Sequence, residues 1–83
     1  MRILYFAWLR EKVGVGAEEI LPPEEVRTVG DLVGWLSARS AGHAAAFANG
    51  RLVRCAVDQE FAGFEAAIGR AREIAFFPPV TGG

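Results

Sequence analysis

The sequence has few of the residues from which catalytic and metal sites are built. It contains one cysteine, Cys55, and one histidine, His43, in 83 residues. A single thiol excludes an internal disulfide and a zinc site held by several thiolates. The sequence also lacks a glycine-rich phosphate loop and a nucleophile elbow. We therefore expect no metal and no bound cofactor, and we interpret Cys55 as a buried structural thiol and His43 as a surface-loop residue.

Excess charge and long apolar runs are missing as well. The formal net charge is −1, so no basic field exists to attract nucleic acid or anionic lipid. No segment approaches the roughly 20 apolar residues of a membrane-spanning helix, and residues 1–10 lack the pattern of a signal peptide. These features predict a cytoplasmic protein without a nucleic-acid or membrane partner. The acid pairs Glu18-Glu19 and Glu24-Glu25 are interpreted as solvated surface.

Apolar residues, by contrast, are abundant, at 52% of the chain. This content indicates a folded core rather than disorder. A chain of 83 residues permits one domain, and it buries only about 60–65% of its unfolded surface, which disfavours a large catalytic cleft. We place the domain at residues 1–77 and an extended tail at residues 78–83.

Five short segments have the composition of β-strands. Residues 2–8 and 73–77 are rich in aromatic and β-branched side chains, and residues 51–58 alternate between apolar and polar positions. Shorter strands are predicted at residues 18–21 and 61–64. The strands lie on both sides of the one segment with clear helical periodicity.

That helix is predicted to begin at Thr28, an N-cap residue with Asp31 three positions later for a capping box. Four apolar residues follow at helical spacing: Val29, Leu32, Val33 and Leu36. Gly42 is expected to end the helix, and residues 43–48 are expected to form a short helical turn. One helix covers one face of a sheet. The element order therefore predicts an α+β protein with a β-grasp fold, in which a mixed four- to five-stranded sheet carries one main helix on one face.

Strand parity leaves one apolar face of this sheet without a helix. In the first strand Leu4 and Phe6 share one face, and Tyr5 lies on the other. In the last strand Phe76 and Phe77 point in opposite directions. The uncovered set is covered by loops, is the ordinary apolar surface of a small domain, or is a partner surface, since large apolar patches seldom stay exposed on monomers. Parity alone leaves open which set faces outward.

The last six residues, PPVTGG, have the composition of a reactive tail. The two prolines stop the preceding strand and hold the backbone extended, and Val80 and Thr81 lead on to Gly82 and Gly83. Frayed tails are usually polar, whereas this one directly follows an apolar strand. Two residues without side chains would let a terminal carboxylate enter a narrow enzyme tunnel. We therefore predict that Gly83 is the reactive group of a carrier and that a partner enzyme supplies the catalysis.

The segment IAFFPPVTGG, residues 74–83, resembles the C-terminus of the small subunit of molybdopterin synthase, the MoaD-type sulfur carriers. Residues 3–11, ILYFAWLRE, resemble the opening strand of that family, and TVGDLVGWL and AVDQ match its helix start and third strand in position. The resemblance implies a ubiquitin-like β-grasp fold. It also implies that Gly83 is adenylated by an E1-like enzyme of the MoeB type, which uses ATP, and that a sulfurtransferase then supplies sulfur to form a thiocarboxylate.

By the same resemblance, the thiocarboxylate enters the large subunit, a MoaE-type protein. There it donates sulfur to cyclic pyranopterin monophosphate in molybdenum cofactor biosynthesis, and the usual assembly is a heterotetramer. The hydrophobic contacts of the family correspond to Phe6, Phe61 and Phe77, which selects the face of Leu4, and Arg10 corresponds to a position of polar partner contacts. The tail residues Pro78, Pro79, Val80 and Thr81 complete the predicted partner interface.

Two positions depart from the family pattern. Asp58 stands where an asparagine is frequent, and the turn before the last strand, often Asp-Gly-Asp, reads Arg70-Ala71-Arg72. The first change concerns a local hydrogen bond, and the second concerns charge near the partner surface.

Three alternatives to this function remain open at the level of sequence. A thiamine-pathway sulfur carrier shares the fold and the terminal Gly-Gly, but it generally lacks the motif FFPPVTGG. A ubiquitin-like modifier would use Gly83 to form isopeptide bonds with lysines, through the same activated intermediate. A plain interaction module would use only the aromatic face.

Overall fold

A computed structural model describes residues 1–79 of the chain. Its elements, in chain order, are β1 (Arg2–Tyr5), α1 (Trp8–Val13), β2 (Ala17–Glu19), α2 (Val29–Ser37), α3 (Ala41–Ala46), a 3-10 helix (Gly50–Leu52), β3 (Arg54–Val57), β4 (Glu60–Ala62) and β5 (Glu73–Phe77). No helix in this part of the chain has the length and apolar character needed to cross a membrane.

The five strands form one mixed sheet in the order β2-β1-β5-β3-β4. The first and last strands of the chain, β1 and β5, are neighbours and run parallel, and every other pairing is antiparallel. The longest helix, α2, lies between β2 and β3 in the chain. This arrangement confirms the predicted α+β fold of the β-grasp type with a mixed five-stranded sheet.

The core lies on the sheet face that carries Tyr5 and Phe76, both of which are buried. Helix α2 buries Val29, Leu32 and Leu36 in the same cluster, as their spacing predicts. The thiol of Cys55 is buried there too and donates to the carbonyl oxygen of Ala62 at 3.1 Å. This confirms the prediction that Cys55 is buried, and burial raises the pKa of its thiol.

The start of α2 has the predicted capping box, but its end was predicted wrongly. The Thr28 hydroxyl accepts from the backbone N–H of Asp31 at 3.1 Å, and the Asp31 carboxylate accepts from the N–H of Thr28 at 3.2 Å. The helix ends at Ser37 and is capped by Ala38, whereas Gly42 lies inside the next helix, α3. Ser40 restarts the helical backbone because its hydroxyl accepts from the N–H of His43.

The first strand is shorter than predicted. Helix α1 was not predicted, and α3 was predicted only as a helical turn. Strand β1 ends at Tyr5, although the N–H of Phe6 still donates to the carbonyl of Phe76 at 3.0 Å. Ala7 then adopts a positive φ of 55°, which turns the chain out of the sheet direction, and α1 begins at Trp8. Helix α3 takes the place of the helical turn expected after Gly42, so α2 is the main helix but not a single one.

The turn between β3 and β4 shows why an aspartate can replace the asparagine that is frequent at position 58 in the family. Asp58 and Gln59 both have positive φ, 47° and 72°, as a two-residue hairpin of the primed type requires. The Asp58 carboxylate accepts from the backbone N–H groups of Arg72 and Glu73 at 2.9 and 3.0 Å. An asparagine side-chain oxygen could accept the same two bonds, so aspartate keeps the link between this turn and the start of β5.

Two helical glycines are expected to respond in opposite ways to the same substitution. A Cβ on Gly42 would collide with the backbone carbonyl oxygen of Lys12, where α3 packs against α1, whereas a Cβ on Gly34 meets no atom within 4 Å. Gly42→Ala should lower the free energy of unfolding by about 1–3 kcal/mol, and Gly34→Ala should raise it by about 0.5–1 kcal/mol. Denaturant titration of both variants measures the difference, and a shift of the same sign in both would contradict this account.

Candidate functional site

The sheet face opposite to the core keeps aromatic side chains accessible. Phe6 is 48% exposed and Phe61 is 84% exposed, and the rings of Phe61 and Phe77 lie 5.8 Å apart between centroids. We call Phe6, Phe61 and Phe77 the aromatic patch. The structure therefore places the three predicted contact residues on one face, the face of Leu4 rather than of Tyr5, and their contact with a partner stays a prediction.

A row of small residues crosses the middle of this face. In register, Leu4 on β1 lies beside Ala75 on β5, Ala75 beside Ala56 on β3, and Ala56 beside Phe61 on β4. Side chains at directly paired positions point to the same face of a sheet. Alanines occupy the two inner strands of this row, and the large apolar side chains of Leu4 and Phe61 stand at its two ends.

The tail begins beside this patch. Strand β5 lies between β1 and β3, and Phe77 at its end pairs with Arg54 at the start of β3. Pro78 and Pro79 follow without regular secondary structure and are half-buried. The predictions for Val80, Thr81, Gly82 and Gly83 fall outside the described residues. The boundary between the domain and its tail likewise stays a prediction.

Arg10, the predicted polar contact, lies on α1 and is exposed. Helix α1 follows the end of β1, and the chain reaches it through Phe6, so Arg10 belongs to the end of the molecule from which the tail leaves. The contact of Arg10 with a partner stays a prediction.

His43 and Glu18, which sequence analysis assigned to the surface, instead form a network on the core side. His43 is 7% exposed, and its Nε2 lies 2.7 Å from Oε2 of Glu18. The hydroxyl of Tyr5 donates to the same carboxylate oxygen at 2.7 Å. Nδ1 of His43 lies 2.7 Å from the hydroxyl oxygen of Ser40. The surface assignments of His43 and Glu18 were therefore wrong, because α3 packs its histidine against β2.

The electrostatics of this network favour the ionised carboxylate. Burial has the largest influence on Glu18 and raises its pKa, but hydrogen bonds from His43 and Tyr5 together outweigh it and leave the pKa lower than usual. Burial, followed by the bond to Glu18, raises the pKa of Tyr5. Arg39 lies 3.8 Å from the other carboxylate oxygen. The network joins β1, β2 and α3 and stabilises their packing.

Ser40, His43 and Glu18 form a chain of hydrogen bonds like that of a hydrolase triad, but the same contacts hold the start of α3 against β2. The Ser40 hydroxyl already accepts the backbone N–H of His43 as the N-cap of α3. The network also lies on the sheet face opposite to the aromatic patch. Within residues 1–79, no group of three His, Cys, Asp or Glu side chains is placed to hold a metal ion. The hydrogen bonds of the network join β1, β2 and the start of α3.

Removal of the Glu18 charge is expected to flatten the acid dependence of stability. Because the pKa of Glu18 is lower in the folded state, its stabilisation is complete above the unfolded pKa, about 4.3, and is lost as the pH falls through the folded pKa. Glu18→Gln should lower the free energy of unfolding at pH 7 by about 1–3 kcal/mol and weaken its pH dependence below about pH 5. Urea titration between neutral and acidic pH measures both.

The neighbouring carboxylate provides the matched control. The Glu19 side chain is 71% exposed, and its pairs with the Met1 ammonium and with Arg2 are 3.5 and 3.7 Å long. Exposed pairs contribute little, so Glu19→Gln should leave the acid dependence unchanged. Equal pH profiles for the Glu18→Gln variant and the wild type would refute the assigned role of Glu18.

Comparison with known proteins gives a consistent set of relatives. The sequence model of the ThiS family matches residues 3–83. A protein of Escherichia coli (strain K12) named molybdopterin synthase sulfur carrier subunit is 39% identical over 83 residues, which cover 100% of this chain and 99% of the relative. A protein of the same name from Haemophilus influenzae is 35% identical over 83 residues, with the same coverage. The crystal structure of small archaeal modifier protein 1 of Haloferax volcanii is similar, with a TM-score of 0.70 and 26% identity over 96% of this chain and 97% of that one.

Proposed function

Because this chain belongs to the ThiS family, we propose that it is the sulfur carrier subunit of a molybdopterin synthase. Two relatives with that name match it over its whole length, including the residues of the tail. The observation that carries the proposal is where the tail begins: the central strand β5 ends beside the aromatic patch. A partner docked on that patch would lie next to the first residues of the tail.

The chemistry proposed for Gly83 occurs at its carboxylate. An adenylating enzyme of the MoeB type binds ATP, and a carboxylate oxygen of Gly83 attacks the α-phosphorus, so that an acyl-adenylate forms and pyrophosphate leaves. A sulfide equivalent from a sulfurtransferase then displaces AMP and leaves a thiocarboxylate. Adenylation is needed because a carboxylate is negatively charged and resonance-stabilised, and it resists attack by a sulfur nucleophile. The carrier contributes the reacting group, and its partners contribute the catalytic residues.

The domain's own residues position this group. Strand β5 is paired on both sides, so the root of the tail is held by the sheet. The prolines Pro78 and Pro79 have a restricted φ at the root of the tail, and the absence of side chains at Gly82 and Gly83 would allow entry into a narrow channel. The aromatic patch docks on the MoaE-type large subunit, with Arg10 as a polar contact at its rim. Sulfur then passes to cyclic pyranopterin monophosphate in the active site of the large subunit.

Intact-mass spectrometry tests this proposal directly. The protein purified from cells that contain its activating enzyme should include a species heavier by the difference between one sulfur and one oxygen. That species should disappear when the activating enzyme is deleted or when Gly83 is removed. If cells that make molybdopterin contain no sulfur-bearing form of this protein, the proposal fails. Species linked to other proteins through lysine would instead support a modifier function, in line with the similarity to the archaeal modifier.

A further inference from the structure

Arg54 lies at the edge of the aromatic patch, next to the root of the tail. It pairs in register with Phe77, so the two side chains share the outer face of the sheet. Arg54, Phe61 and Phe77 line one surface depression. Because β3 and β5 are antiparallel, Arg54 at the start of β3 lies beside the end of β5, where the tail begins.

The guanidinium of Arg54 is held by the backbone at one nitrogen. Its Nη1 donates to the carbonyl oxygens of Arg51 and Val53, at 2.9 and 3.2 Å. Within residues 1–79, the Nε and Nη2 donors of the same side chain make no hydrogen bond. These two donors form the edge through which arginine binds a carboxylate with two parallel hydrogen bonds. Because the two bonds from Nη1 already orient the plane of the guanidinium, less side-chain entropy is lost when the group binds an anion.

Among the described residues, no ion pair compensates the charge of Arg54 at this end of the outer face. The ion pairs of residues 1–79 involve the N-terminal ammonium, Arg2, Arg39 and His43, and none of them includes Arg54. At the other end of the same face, Arg2 is paired with Glu19 at 3.7 Å. Register places Glu73 directly beside Arg2 as well. At one end of the outer face, the charge of Arg2 is therefore balanced by neighbouring glutamates. At the other end, where the tail begins, the guanidinium of Arg54 faces the solvent.

We propose that Arg54 binds a carboxylate side chain of the large subunit through its Nε and Nη2 edge when the aromatic patch docks. This inference rests on the proposed function and names a contact of the same surface. A purely apolar patch tolerates small rotations of the partner, whereas a two-bond pair at its edge has one geometry. The pair fixes the orientation in which the domain docks on the large subunit.

Titration calorimetry with the purified large subunit encoded in the same genome tests the contact. At low ionic strength, Arg54→Ala should weaken binding about tenfold, the low end of the effects measured for close charge pairs. Arg54→Lys keeps the charge but not the two-bond geometry, so its affinity should lie between those of the alanine variant and the wild type. High salt should reduce the difference between Arg54→Ala and the wild type, because the pair lies at the solvent-accessible rim.

Arg2→Ala is the matched control, since it removes an arginine from the far end of the same face, and its affinity should stay within about twofold of the wild type. Arg54→Glu should bind most weakly, and exchange of one acidic residue of the large subunit for arginine should restore its binding.

If Phe77→Ala weakens binding and Arg54→Ala does not, the contact is overturned while the proposed function stands. A salt-independent loss with no advantage for lysine over alanine also overturns it. If the wild-type protein does not bind the large subunit, the proposed function fails together with the contact.

Discussion

A variant with one additional residue after Gly83 is expected to fold like the wild type and to transfer no sulfur. The added residue moves the carboxylate by about 3.5 Å along an extended backbone and places an amide where the reacting group was. An amide carbonyl cannot attack ATP as a carboxylate does, so the acyl-adenylate should not form on Gly83. Molybdopterin formation from purified components measures the outcome, and we expect it to fall to the background of a reaction without carrier.

We expect this variant to fold, because the core and the five paired strands lie within residues 1–77. Thermal unfolding of the extended and wild-type proteins should therefore coincide. An extension that a specific protease removes after Gly83 provides the control, since cleavage should restore activity in the same sample. Wild-type sulfur transfer by a protein whose extension is still present by intact mass would exclude the terminal carboxylate as the reacting group.

The sheet and the main helix could be predicted because their signals are local. Strand β5 coincides with the predicted residues 73–77, and the capping box of Thr28 and Asp31 marks the start of α2. Alternation in the strands also separated Phe76 from Phe77, and the structure buries the first and leaves the second on the outer face. These features depend on neighbours two to four residues apart, and a sequence records such spacings directly.

Helix α1 could not be recognised because it is too short for its apolar residues to show a helical period. It has six residues, fewer than two turns, and only Leu9 is fully buried. Its start depends on the positive φ of Ala7, a conformation that alanine seldom adopts and that composition does not indicate. The aromatic run that continues through Trp8 therefore looked like a longer first strand. Short helices of this kind are stabilised by packing, here against α3, rather than by their own propensity.

The network of His43 and Glu18 was missed because its partners are 25 residues apart in the chain. One signal was available: Glu18 has the same strand parity as Ile20, which is buried. A carboxylate on the buried side of a strand needs a hydrogen-bonding partner, and His43 was a candidate. The reactivity of the tail is a different case, since its prediction depends on terminal composition and on relatives, and no packing in the domain implies it.

Phe77→Glu is expected to leave the domain folded and to abolish most of its affinity for the large subunit. Phe77 lies on the outer face and contacts Phe61, so its loss should lower the free energy of unfolding by only about 0.5–1.5 kcal/mol. At the interface the same change removes an aromatic anchor and places a carboxylate among apolar side chains. Losses of 2–4 kcal/mol are typical of such positions, which corresponds to a dissociation constant roughly 30- to 1,000-fold higher.

Leu21→Glu is the control for that variant, because it also places a glutamate at an apolar residue that the core does not bury. Leu21 is 91% exposed and follows Ile20, whose N–H donates to the carbonyl of Met1 at the start of β1. It therefore lies at the end of the sheet away from the tail, and its variant should bind the large subunit like the wild type. Equal affinities of the Phe77→Glu and Leu21→Glu variants would show that the aromatic patch is not the docking surface. A loss confined to Phe77→Glu, with its thermal unfolding nearly unchanged, would assign the binding energy to the face from which the tail departs.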